Sequence, residues 1–457
     1  MSGTGKHAVV LGASMSGLLV ARTLSDFYDE VTLVERDRLP SEPAHRSGVP
    51  HDVQPHLLLA RGLQTLEELF PGFTDDLDIA GAPAWKDGDL AKFAWSIGGH
   101  VLTRSGRLRE PTTLTIYFPS RPLLEHLVYE RVQKIPNVSV MERQDVAEVN
   151  WDTNHNRISG ATVVDIDTGD RYALTADLVV DATGRASRTP VLMEGLGYGR
   201  PRQDEVVVRL TYTSLALTIP ASMRPDVHIA SFPKPGRPTG YALWQNENDK
   251  WIFCVAAMGR HISLRGLDDM ISLIESFAPP RFVETVRAAE PLGSPVRYTF
   301  PSSRWRRYDK MRKTPDGLLV VGDAICSFNP VYGQGMTVAA IEAVILGQCL
   351  RDGPDKLPRR FFRATGKTIG LAWQTAVGSD LALPEVTGRR TVSMRSSSVY
   401  LDRVLTAAES DPIVAEQLLR VTGMIDASSR LLRPAILARV ATARRRWQSK
   451  GSCASSE

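Results

Sequence analysis

The first 35 residues constrain the fold more than any other part of the chain. Residues 7–11 (HAVVL) form a short apolar run with the composition of a buried strand. Gly12-Ala13-Ser14-Met15-Ser16-Gly17 follows, and then an apolar helical run from Leu18 to Leu24. A second apolar run, Val31 to Val34, ends at Glu35. Strand, glycine turn, helix, strand and acid, in that order, predict a βαβ unit that grips a dinucleotide. The helix N-terminus receives the pyrophosphate and the acid takes ribose hydroxyls. Ser14 stands where the fingerprint has its middle glycine, so the pattern is GxSxxG. A serine is small enough to let an anion pass close by.

Three further segments carry related signals. Gly317 to Ala343 (GLLVVGDAICSFNPVYGQGMTVAAIEA) reads as a strand, a Gly322-Asp323 turn, and a glycine-lined helix start after Pro330. A carboxylate such as Asp323 accepts hydrogen bonds from sugar-like hydroxyls, and glycines let backbone N–H groups approach an anion or a ring. The plain alternative is an ordinary βα turn. Residues 176–185 (ADLVVDATGR) are another strand running into a small-residue turn. Ser120-Arg121-Pro122 opens a helical run, placing a cation where the helix dipole disfavours it unless an anion lies nearby. A solvent-facing arginine is the alternative there.

Together these elements resemble the FAD-dependent monooxygenases with the para-hydroxybenzoate hydroxylase-type fold. Within them the chain looks closest to the squalene epoxidase-like group and the actinobacterial polyether epoxidases. The run NPVYGQGMTVAA is the most specific match. Arg46-Ser47-Gly48-Val49-Pro50 through His56, and Trp373, Asp380 and Pro384, also look like this subgroup, although His51 stands where the subgroup often has glutamine.

The resemblance implies an α/β fold with a discontinuous, Rossmann-type FAD-binding domain over 1–80, 105–200 and 300–350. It adds an inserted antiparallel-sheet substrate domain over 205–300 and a C-terminal helical region over 355–450. It implies FAD contacts at Gly12, Ser14, Gly17, Glu35, Arg36 and Arg46, and at Arg121, Asp181 and Gly184. Asp323, Pro330, Gly333, Gly335 and Met336 are implied along the ribityl chain and ring. NAD(P)H is the implied electron source. Where the family has Asp-Gly adjacent, this chain has Asp181-Ala182-Thr183-Gly184. That departure leaves open whether NAD(P)H acts directly or through a partner flavin reductase.

In the middle segment, residues 206–212, 228–232, 241–244 and 251–255 are short strands rich in aromatic and β-branched residues. Residues 266–289 have helical spacing, and residues 81–103 read as an irregular excursion carrying Trp85, Phe93 and Trp95. Phe328, Tyr332, Trp244 and Phe253 are the expected walls of a substrate pocket. No catalytic side chain is expected, because the flavin carries the chemistry. No His, Tyr or Asp of the middle segment stands out as a base for a phenol; His228 and His261 are single histidines. The expectation is therefore insertion of one oxygen atom, through a flavin hydroperoxide, into a hydrophobic alkene of secondary metabolism. Aromatic hydroxylation, prenyl-chain reduction or dehydrogenation, and a non-catalytic FAD-binding role are the alternatives.

Composition excludes several other classes. The 457 residues carry a formal net charge of only +4, too small for a nucleic-acid footprint spread over this length. Four cysteines without CxxC spacing suggest neither a zinc site nor a disulfide framework, and a cytoplasmic location is the expectation. Cys326 reads as a small buried filler. No apolar run approaches the roughly 20 residues of a membrane span. The basic, amphipathic stretch from Leu431 to Trp447 allows peripheral membrane contact, but a helix packed on the body is the favoured reading. The tail after Lys450 is expected to lack order.

Overall fold

The structure, a computed structural model, describes residues 5–259, 261–390 and 392–453. The chain opens with β1 (Gly5–Leu11), α1 (Met15–Leu24) and β2 (Tyr28–Val34), as the glycine turn requires. After β3 (Phe93–Ile97) and α2 (Arg121–Gln133) comes β4 (Val138–Met141). An antiparallel meander follows: β5 (Gln144–Asp152), β6 (Arg157–Asp165) and β7 (Arg171–Thr175). The chain then returns through β8 (Leu178–Asp181). Next come β9 (Gln203–Thr218), β10 (His228–Ser231), β11 (Thr239–Gln245) and β12 (Trp251–Ala257). Two helices, α3 (Leu267–Ile274) and α4 (Pro280–Arg287), precede β13 (Val296–Arg306) and β14 (Leu318–Val320). The rest is helical: α5 (Gly335–Arg351), α6 (Leu357–Asp380), α7 (Val392–Ala408), α8 (Pro412–Thr422) and α9 (Pro434–Cys453).

Five strands form a parallel sheet in the order β14-β8-β1-β2-β4. The connections run outward one way from β1 and then reverse, so the switch point lies between β1 and β8. In such sheets the crevice outside the carboxyl ends of the strands at the switch point receives the ligand. Those ends here are Gly12, Glu35, Asp181 and Asp323. Both faces are covered, and β1, β2, β8 and β14 are accordingly buried in near-continuous apolar runs.

The second large sheet contains β13, β9, β12, β11, β10 and β3 in that order, extended at one end by residues 326–327 and at the other by 100–101. It is mainly antiparallel; β3 joins β10 in parallel. Residues 81–103 are therefore not wholly irregular: Phe93–Ile97 is a strand of this sheet. One face packs on α3 and α4 through Phe253, Tyr241, Phe282 and Ile274. The opposite face turns toward the parallel sheet.

The C-terminal helices divide. α6 packs on the first core through Phe361, Phe362, Ile369 and Ala372. α7, α8 and α9 pack with Trp85, Phe93, Trp95 and Phe118. The Asp411-Pro412 start of α8 has the geometry its sequence predicts: Asp411 accepts from Ile413 N and Val414 N at 2.9 and 3.3 Å. α9 buries Ile436 and Val440 against the body and extends to Cys453, further than the expected disordered tail allows. The side chains of Arg444, Arg445, Arg446 and Trp447 lie outside the described residues. Among the described residues no helix is long and apolar enough to cross a membrane, and no cluster of ligating side chains could hold a metal ion.

Candidate active site

Four βα turns meet at the carboxyl edge of the parallel sheet. Gly12 N donates to Val34 O at 2.8 Å, Ala182 N to Leu11 O at 2.9 Å, and Val321 N to Asp181 O at 3.0 Å. Adjacent turns are thus stitched to one another. Gly12 has φ +103°, and a Cβ there would lie 2.8 Å from Ala182 O; both facts demand glycine. Glu35 turns back over the first turn, accepting from Ala13 N at 2.7 Å and from Asp37 N at 3.0 Å.

Ser14 is built into this edge. Its hydroxyl donates to Glu125 Oε2 at 2.7 Å and accepts from Arg121 Nη2 at 2.9 Å. Arg121 also pairs with Glu125 at 2.7 Å, and Arg46 makes a second ion pair with the other Glu125 oxygen. All three charged groups are buried. Burial opposes the charge on Glu125, but Arg121 and Arg46 hold its carboxyl below the usual carboxylate range. Arg121 is therefore not a surface arginine; its counter-ion sits one helical turn along at Glu125. Arg46 Nη1 remains buried without a hydrogen-bond partner.

At the other turns the carboxylates differ. Asp181 is committed internally, accepting from Thr183 N and Oγ1 at 2.9 and 2.6 Å and from the Ser187 and Thr189 hydroxyls at 2.5 Å each. Asp323 opens onto the cavity, and no described residue donates a hydrogen bond to its carboxylate. Its side chain is exposed to the cavity, but the enclosing walls keep it from bulk water and push it up to about 6 against the pull of Arg185, Arg121 and Arg306. Beneath it, the fully buried Glu342 of α5 accepts from Gly322 N at 2.6 Å and fixes the turn.

The segment after Asp323 is clamped from α6. Asp380, fully buried, accepts from Asn329 Nδ2 at 2.7 Å and from the Tyr332 hydroxyl at 2.8 Å. Asn329 Oδ1 in turn accepts from Val331 N at 3.1 Å. This holds the 3₁₀ turn Pro330–Tyr332 and the left-handed Gly333, φ +64°.

One cavity of about 910 Å³ joins these turns to the inner face of the large sheet. Gly12, Ser14, Glu35, Arg36, Arg46 and Arg121 line one end of it. Asp181, Gly184, Asp323, Pro330, Gly333, Gly335 and Met336 line its middle. Trp244 and Phe328 line the sheet end with Trp95, Phe232, Tyr298 and Phe300.

Three expected contacts fall elsewhere. Gly17 lies beneath the cavity: a Cβ would sit 1.8 Å from Gly12 O, so it permits helix–strand packing rather than approach to a ligand. Phe253 points to the α3–α4 side, because successive strand residues face opposite ways and it is Cys254 and Ala256 that face the cavity. Tyr332 turns its hydroxyl to Asp380 and does not line the cavity. Cys326 is a buried filler of the first core, as its sequence context predicts.

The fold also assembles a group that no single segment announces. His51 and His56 lie with ring centroids 5.7 Å apart, and His51 is 5.7 Å from the Tyr298 ring on β13. Gln54 anchors their loop to the sheet, accepting from Ser214 Oγ at 2.6 Å and donating to Val296 O at 3.3 Å. Burial, with Arg121 nearby, lowers His51 to about 4; burial, with His51 and Arg121 nearby, lowers His56 well below the ordinary imidazole value, so both rings are neutral at pH 7. His56 Nδ1 contacts Gln54 O at 2.8 Å, which makes Nδ1 the donor and leaves Nε2 an acceptor. The Tyr298 hydroxyl and both His51 nitrogens make no hydrogen bond with a described residue.

The cavity fits an FAD molecule. Two of its glycines border open space: a Cβ at Gly335 would meet nothing within 4 Å, and one at Gly184 only Asp323 Cβ at 4.0 Å. Asp323 is an uncommitted acceptor for ribityl hydroxyls, and the Arg46 guanidinium, whose Nη1 lies 3.6 Å from Glu35 without a hydrogen bond, lines the cavity near the glycine turn where a pyrophosphate would lie.

Residues 6–352 match a family described as the FAD binding domain. "Protein Rv3254" of Mycobacterium tuberculosis is 36% identical over 429 residues, covering 92% of this chain and 90% of that protein. A kynurenine 3-monooxygenase of Salinispora tropica is 26% identical over 364 residues, covering 77% and 74%. The solved anhydrotetracycline hydroxylase of Streptomyces rimosus shares the fold at TM-score 0.62 and 15% identity, covering 93% of this chain and 76% of that one. With the family matched over most of its length and the cofactor cradle in place, the chain belongs to the FAD binding domain family of flavin-dependent monooxygenases, and FAD is its cofactor.

Proposed function

We propose that this enzyme inserts one oxygen atom into a hydrophobic, ring-bearing substrate that carries a hydroxyl or enol oxygen. The observation that carries this reading is the pairing of an aromatic wall with uncommitted polar groups at the sheet end of the cavity. Trp95, Phe232, Trp244 and Phe328 offer flat apolar surface. Tyr298, His51 and His56 offer hydrogen-bond partners beside it. A phenolic oxygen can donate to a neutral imidazole and accept from the tyrosine hydroxyl. Transfer of its proton to the imidazole makes the ring more electron-rich and a better nucleophile.

The bound FAD supplies the oxygen chemistry. The side chains around it orient the acceptor, exclude water and take up its proton. The kynurenine and anhydrotetracycline enzymes, both oxygenating ring systems by name, support the same reading. Epoxidation of an apolar alkene is the second reading. It is favoured by the low basicity of His51, since an alkene needs no base. NAD(P)H reduces the flavin in either case, and a separate reductase remains a further proposal.

Mass spectrometry with isotopic O2, using phenolic and polyene substrates, separates these. The expected result is one added oxygen on phenols, with His51→Ala lowering kcat about tenfold to a hundredfold while flavin absorbance is unchanged. Oxygen addition to polyenes alone, or a His51→Ala variant with full phenol turnover, overturns the hydroxylase reading. Substrate turnover without oxygen incorporation overturns both.

A further inference from the structure

A second concavity of about 1170 Å³ lies between α6 and the segment that follows β13, and it shares no lining residue with the flavin cavity. Its rim is strongly basic. Arg359, Arg363 and Lys367 project from α6 at four-residue spacing, which sets them on one face. Arg312 and Lys313 approach from the opposite wall, and Lys356 stands at the head of the helix. All six are exposed, and none forms an ion pair with a described carboxylate. Of the three acids in this cleft two are already held, since Arg307 pairs with Asp204 and with Asp309 at 2.8 Å each; the third, Asp316, is exposed and is outnumbered by the six cations.

The floor is rigid. Arg307 lies 3.7 Å from the Trp305 ring centre, and Gly366 brings α6 so close that a Cβ would fall 2.7 Å from Asp309 Cβ. Like charges at helical spacing repel one another and destabilise a helix. Here they converge on a concave surface rather than spreading over a convex one, where solvent would screen them. Half-buried Trp373 and Tyr198 add flat faces within the same cleft.

We propose that this cleft binds a phosphate-bearing nucleotide, with the α6 cations on the phosphates and an aromatic face under the base. Its concave shape and ligand-sized volume fit a small molecule better than a flat protein surface. The shared chemistry admits two sources, a pyridine dinucleotide phosphate or a coenzyme A conjugate.

Calorimetric titration of the FAD-loaded enzyme tests this, with NADP⁺, coenzyme A and inorganic pyrophosphate as separate probes. The expected result is saturable binding of NADP⁺ or coenzyme A, tighter than pyrophosphate and weakening with salt. Arg363→Glu and Lys367→Glu should each weaken it about tenfold, with flavin content and circular dichroism unchanged. Which nucleotide binds identifies the source. Absence of saturable binding by both nucleotides, affinity no better than pyrophosphate, or variants that bind like the parent would each overturn the proposal. None of these readouts depends on oxygen transfer, so failure here is distinguishable from failure of the hydroxylase reading.

Discussion

At the residue scale, Ser14 and Asp380 show how single side chains acquire their roles. Ser14 interrupts a glycine fingerprint, yet its hydroxyl bridges Arg121 and Glu125. A glycine there would leave the buried pair one partner short. Asp380 sits 51 positions from Asn329 in sequence and receives its amide at 2.7 Å. Burial pushes its carboxyl up to about 7, only partly offset by the bonds from Tyr332 and Asn329. The folded state therefore retains a proton that the unfolded chain releases near the ordinary value of 3.8. Stability on this account falls as pH rises from about 4 to about 7 and is level above that. Burial raises Glu342 in the same direction, to about 8. Asp380→Asn keeps an acceptor for both donors and cannot ionise. The variant should lose the Asp380 part of this pH dependence and should match or exceed the parent's melting temperature at pH 8. Parallel melting profiles for the two proteins from pH 5 to 8 would show that Asp380 is ionised throughout. The role of Ser14 was hidden in the sequence because its partners stand more than 100 positions away.

At the scale of elements, the glycine turns were legible and the phase of the sheet was not. Gly12, Glu35 and Asp323 each sit within a single βα turn, where local chain geometry and short-range spacing set the role. β12 (WIFCVAA) offers an apolar residue at nearly every position, so its alternation gives no clue to which face is inward. The pairing Leu243↔Phe253 and Leu215↔Phe253 puts Phe253 against α3 and α4, and leaves Cys254 facing the cavity. Two substitutions separate the faces. Phe253→Ala empties a fully buried site and should cost about 3–5 kcal/mol in urea unfolding, with flavin affinity retained in the folded fraction. Cys254→Phe projects into the cavity and should raise KM for bulky substrates severalfold with a smaller loss of stability. The reverse pattern would require the opposite strand phase.

At the scale of the whole molecule, the C-terminal helices decide what the sheet end of the cavity becomes. Trp95 and Phe93 stack at 4.2 Å, and Phe93 and Trp85 at 4.6 Å. This aromatic ladder is roofed by Val404, Leu405, Val414, Leu418 and Leu419 from α7 and α8. The parallel sheet and α6 have a core of their own. A chain ending at Arg390 should therefore retain flavin absorbance while exposing the ladder. A several-fold rise in binding of a hydrophobic dye and loss of substrate turnover are expected; unchanged dye binding would mean that the helices are not its cover.

By itself the sequence determined the dinucleotide half: a βαβ start, a second strand–turn–helix carrying Asp323, and an FAD cradle between them. Those features are local, since glycine conformation, helix dipoles and strand-end carboxylates act within a few residues. Only the tertiary structure decided the other half. It brought His51, with His56 beside it, against Tyr298, some 240 positions away, chose Cys254 over Phe253 for the cavity wall, and turned Tyr332 toward Asp380. Strand phase and long-range packing depend on which partner each face finds, and a linear pattern of apolar residues leaves that choice open.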